Sequence, residues 1–142
     1  MQAQAYASPI VVTIAYFALW YYLLLGVQRG TKYRLKARYA GEGKEFDRYF
    51  GQDPEMLAAD RAVANTLEQM GPFLASLWLF AVFVSPDQAG WYGGAYVVLR
   101  AGYPLLLGKR VSKVQSKRVA LVTFPAYLII FAMLGRVVAA AI

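Results

Sequence analysis

Arg61, Asn65 and Glu68 stand at i, i+4 and i+7 in the stretch RAVANTLEQMGPFL. At about 100° per residue, a helix brings the three within about 60° of one another. They form a stripe of cation, amide and acid that climbs into an apolar segment. Pro72 falls on the same stripe, where its missing amide frees a carbonyl near residue 68 and can bend the helix. Further along, Arg100 sits inside the apolar run from Trp91 to Gly108, with Tyr103 one turn beyond. Two readings of the stripe stand open. Either Arg61 and Glu68 lie at headgroup level, solvated or paired with lipid phosphate, or the stripe lines a polar cavity within the membrane. Exposing an ionisable group to lipid costs a few kcal/mol or more, so such groups face a bundle interior or a cavity. Asn65 and Glu68 both lie beyond Arg61, which favours the cavity. Arg100, near mid-span, needs an anionic partner. Glu68 is the only acid in the apolar part of the second run, so a Glu68–Arg100 contact is expected. A ligand carboxylate is the alternative partner, and a buried ion pair that only fixes helix register is the bland one.

The chemistry open to such a site is narrow. The 142 residues contain no cysteine and no histidine. That removes disulfides, thiolate and imidazole catalysis, and every metal site built on Cys or His. No metal is expected. Catalysis is left to carboxylates, Tyr, Ser, Thr, Arg or Lys.

The elements that hold these residues are apolar. The chain is 59% hydrophobic and only 16% charged, against roughly 25% charged in soluble domains. Four runs, approximately 9–27, 57–84, 91–108 and 119–141, read as membrane spans in one domain covering 1–142, with basic loops at 28–56 and 109–118. The fold class is an all-α integral membrane bundle of four helices. Residues 29–54 read as a long loop with a short amphipathic piece, and SPDQAG as a turn. QDPE offers a helix start, with Asp53 as N-cap and Pro54 in the first turn. The net charge of +7 is concentrated in the two basic loops, as the positive-inside rule predicts for cytoplasmic loops. This distribution argues against nucleic acid as a partner. Both basic loops then share the cytoplasmic side, and both termini lie opposite. MQAQAYASPI lacks the basic start of a signal peptide, so the first run reads as a retained anchor. A bacterial inner membrane and an endoplasmic reticulum fit equally.

DPEMLAADRAVANTLEQMGPFL followed by VLRAGYPLLLG resembles the MAPEG family, the membrane-associated proteins of eicosanoid and glutathione metabolism. The resemblance covers nearly the whole chain: four spans, the same loop placement, R-x-x-x-N-x-x-E opening the second helix and R-x-x-Y in the third. It implies a homotrimer that binds glutathione as co-substrate between neighbouring subunits, near the cytoplasmic side. By motif match, Arg61, Asn65, Glu68, Arg100 and Tyr103 bind the tripeptide, and Arg29, leaving the first span, reaches one of its carboxylates. An arginine near the start of the fourth helix stabilises the thiolate in family enzymes. Arg118 takes that place here, with Lys117 and Lys113 as alternates. A nearby cation turns a thiol of pKa about 8.5 into a competent nucleophile.

The function so implied is a membrane-bound glutathione transferase or peroxidase acting on a lipophilic electrophile that arrives from the membrane lipids. Two departures weigh on it. Gln69 and Leu107 stand where several members have tyrosine, and both remove hydroxyls that would touch glutathione. The alternative is a non-catalytic lipid- or partner-binding protein on the same scaffold.

Overall fold

A computed structural model describes the backbone of residues 2–110 and 113–142, and the side chains of residues 4–110 and 117–142. Among the described residues the regular structure is entirely helical. A single turn, Gln2–Ala5, precedes four long helices: α1 (Ala7–Gly41), α2 (Pro54–Phe83), α3 (Pro86–Leu107) and α4 (Lys113–Ala141). Within α1, residues Tyr22–Gln28 form a π-helical segment. α2 and α3 make the central pair, with α1 and α4 packed on either side of it. Three of the helices, α1, α2 and α4, are long and apolar enough to cross a membrane. α3, with Asp87, Arg100 and four glycines, is only weakly apolar.

The first basic segment is not a long loop. α1 runs on through it to Gly41, because Arg29–Gly41 is rich in Arg, Lys, Leu and Ala, all good helix formers. Its inner face also finds a partner: Leu35 is buried against Met56 and Ala59 of α2. The helix stops where Gly43 takes a left-handed φ of 69°. There Lys44 N–H donates to the Tyr39 carbonyl at 2.9 Å and Gly43 N–H to the Ala40 carbonyl at 3.0 Å. This is the Schellman pairing, and glycine adopts its left-handed residue without a Cβ penalty.

α2 opens as expected. The Asp53 carboxylate accepts from the backbone amides of Glu55 at 2.8 Å and Met56 at 3.3 Å, satisfying two of the unpaired donors of the first turn. Pro72 lies inside α2, which continues through it to Phe83. SPDQAG is not a turn either. Ser85 caps α3, its hydroxyl accepting from Gln88 N–H at 3.3 Å, and the helix begins at Pro86. Proline is pre-organised for the first helical position, so the link shrinks to Val84 and Ser85.

The core is an aromatic layer. Phe73 and Tyr96 stack with ring centroids 4.0 Å apart, and Tyr16 packs on Phe73 at 5.0 Å. The Tyr16 hydroxyl donates to the Thr66 carbonyl at 2.6 Å. Gly93 lets α3 approach its neighbours here: a Cβ would lie 2.6 Å from Val12 and 2.7 Å from Leu77. Gly93→Ala is therefore expected to lower stability by about 1–3 kcal/mol, the usual cost of overpacking. Thermal unfolding in detergent measures it, and an unchanged midpoint would show that Val12 and Leu77 yield freely.

Candidate functional site

Asn65, Arg100 and Tyr103 are brought together where α2 meets α3. Arg100 is only 1% exposed. Its Nη2 donates to the Asn65 side-chain oxygen at 2.6 Å, and its Cζ lies 4.8 Å from the centroid of the Tyr103 ring. Its Nε is buried without a hydrogen-bond partner. The expected Glu68–Arg100 contact is not formed. Glu68 lies three residues beyond Asn65, about 60° around the helix, and that rotation carries it out of the α2–α3 seam onto an exposed face. Arg61 is exposed as well.

The result is a buried guanidinium held by a neutral amide and an aromatic face. Among the described residues no carboxylate comes within ion-pair distance of it. A desolvated cation without an anion is costly, whereas an entering carboxylate would meet a fork of N–H donors already positioned. The orphaned Nε fits such a ligand.

The other expected residues are dispersed in a single chain. Arg29 is exposed on α1, its Cζ 5.7 Å from the Tyr33 ring. It borders a niche of about 420 Å³ with Lys32, Arg48 and Tyr49. Lys117 and Arg118 are exposed near the start of α4, and the side chain of Lys113 lies outside the described residues. Of the two departures, Gln69 makes an exposed contact and Leu107 a buried one. Gln69 Nε2 donates to the Tyr127 hydroxyl of α4 at 3.2 Å, and Leu107 is buried with Leu23, Ala62, Val63 and Tyr103.

A match to the family model labelled MAPEG family extends over residues 7–139. The chain belongs to the MAPEG family. This family covers glutathione transferases and related membrane proteins, and the three long apolar helices agree with that setting. No curated protein gives a match. Among the described residues no group of three His, Cys, Asp or Glu side chains could hold a metal ion.

Sequence reasoning missed the ionic frame that fixes the basic end of this MAPEG bundle. Asp60, next to Arg61, accepts from both terminal nitrogens of Arg48 at 2.8 and 2.7 Å and from Gln28 at 2.8 Å. It thereby ties α1 and the α1–α2 loop to α2. Glu55 accepts from Arg34 at 2.8 Å, Arg38 at 2.9 Å and Arg110 at 3.4 Å. Outside the apolar part of the bundle, the hydrogen bond from Arg38, more than any other influence, holds the Glu55 carboxyl below its ordinary range. Asp47 is held low by the backbone amides of Phe50 and Tyr49. The only sequence signal for this frame was the interleaving of acids and bases along residues 29–60.

Proposed function

We propose that this chain is a membrane-bound glutathione-dependent transferase or peroxidase that works as a homotrimer of four-span subunits, with both basic segments on the cytoplasmic side. One observation carries the reading: a fully buried Arg100 with an orphaned Nε and no carboxylate partner among the described residues. A tripeptide carboxylate is the anion that completes it, with Asn65 and Tyr103 shaping the same recess. Arg61 and Glu68, exposed on one face of α2, are placed for a site shared with a neighbouring copy, because lipid is a poor medium for either. Arg29 and Arg118, dispersed within one chain, come to that site from adjacent copies.

In the reaction, glutathione's thiol gives its proton to water and Arg118 holds the resulting thiolate. The sulfur forms a bond to the electrophilic carbon and the leaving group departs. Placing the site beside the bilayer supplies a lipophilic electrophile directly from the membrane.

The test is calorimetric titration of the detergent-purified protein with glutathione, followed by turnover of chlorodinitrobenzene with release of chloride. Binding together with turnover is expected. Binding without turnover would favour the second reading, a non-catalytic lipid- or partner-binding scaffold, which draws support from Leu107 being committed to a buried apolar cluster. Absence of glutathione binding would overturn the enzyme reading.

A further inference from the structure

A groove of about 600 Å³ opens at the basic end of the bundle, between α1, α2 and α3. Its walls are small and apolar: Gly26 and Val27 from the π segment, Ala58 and Ala62 from α2, and Leu105 from α3. Tyr22 and Leu105, 64% and 81% exposed, line it where it meets the surface. Arg34, Glu55 and Lys109 stand at the mouth. Glu55 is already engaged by Arg34, Arg38 and Arg110, so cations outnumber this carboxylate. Lys109 is exposed and makes no ion pair among the described residues. The mouth therefore carries net positive charge, and the floor carries none.

We propose that this groove binds an anionic phospholipid, its acyl chain against Gly26 and Leu105 and its phosphate on Lys109 and Arg34. The depth agrees. From Gly30 at the polar end to Tyr22, the α1 wall descends about two turns. Gly26 and Gly30 form the small-x-x-x-small pattern that lets helices approach closely, yet a Cβ on Gly30 would find nothing within 4 Å. The apolar lining of Gly26, Val27, Ala58, Ala62 and Leu105 suits a hydrocarbon chain. Anionic headgroups are attracted by cations at this level of the bilayer. The site needs the bundle to sit in a bilayer, as proposed above, and does not need the thiol chemistry.

Native mass spectrometry of the full chain in nonionic detergent tests it, with phosphatidylglycerol and phosphatidylcholine of identical acyl chains as probes. One phosphatidylglycerol per chain is expected, preferred by about tenfold over phosphatidylcholine, as one or two interfacial cations contribute. Lys109→Gln should bring the two lipids toward parity. Gly30→Leu should abolish both adducts by filling the groove. That substitution enters open space and replaces a poor helix former with a good one, so the fold is retained. Equal retention of both lipids by the unmodified chain, or adducts that survive Gly30→Leu, would overturn the proposal. Displacement by equimolar inorganic phosphate would reduce it to a plain anion site, and overturns it too. So would disulfide formation between Gly30→Cys chains, which would mean that a second copy covers the groove. Glutathione calorimetry on the Gly30→Leu protein is expected to be unchanged, which keeps the two readings separable.

Discussion

Arg100→Met is expected to weaken glutathione binding by about 30-fold or more while leaving the folded protein at least as stable as before. Removing one partner of a buried, hydrogen-bonded charge pair costs about 2–5 kcal/mol of binding, and each 1.4 kcal/mol is about tenfold. Stability moves differently because the unliganded chain has an uncompensated cation in its interior. Methionine has similar length and no charge, and relieving a buried ion is worth several kcal/mol. The opposing losses are one hydrogen bond to Asn65, about 1–3 kcal/mol if its oxygen stays dry, and the cation–π contact with Tyr103, about 1–2 kcal/mol. Asn65 is only half-buried, which lowers the first of these, so the charge relief wins. Arg100→Lys should recover part of the affinity, since an ammonium keeps the charge and loses the fork. Calorimetry and thermal unfolding on the same samples separate the two effects. A methionine variant that melts early and binds glutathione normally would make Arg100 a purely structural residue.

Arg118→Ala is expected to leave glutathione binding nearly intact and to shift the pH dependence of turnover upward by about 1–3 units, the span that a close cation moves an acidic group. The fall in rate at neutral pH is smaller than the shift alone would give. A less stabilised thiolate is scarcer but intrinsically more nucleophilic, and the second effect returns roughly half of the first on a logarithmic scale. About tenfold is the expected loss at pH 7 for a shift of about 2 units. The pH profile is therefore the sharper readout. A profile that does not move in Arg118→Ala but moves in Lys117→Ala would reassign the thiolate-stabilising role.

The most legible parts of this molecule were those set by short-range chemistry. The Asp53 cap needed only an acid before Pro54, and it forms as expected. Helical spacing put Asn65 and Glu68 on one stripe, but Glu68 was expected to meet Arg100 and Asn65 does so instead. Both lie on one stripe, and which of them turns inward depends on how α2 is rotated against α3, a property of packing. The extension of α1 through Arg29–Gly41 was hidden for a related reason. Its charge reads as loop, yet its buried face is made by Leu35 meeting Met56 and Ala59, a partnership between distant segments. The start of α3 at Pro86 was missed because SPDQAG serves equally as a turn and as a cap followed by a first helical turn. The π segment of Tyr22–Gln28 had no local signature beyond Gly26. The frame around Glu55 and Asp60 was hidden because interleaved charges do not announce their partners.

The aromatic layer has a consequence for electrical tightness. Tyr96 lies one turn from Arg100 along α3, and Phe73 two turns beyond Asn65 along α2, both on the side away from the basic end. With Tyr16 they close the interior with rings that have no exposed surface. Water that hydrates the neighbourhood of Arg100 would therefore meet packed aromatic rings, broken only by the Tyr16 and Tyr96 hydroxyls, and not a continuous wire. A protein that places a cation deep among its apolar helices can in this way leave a membrane's ion gradient undisturbed.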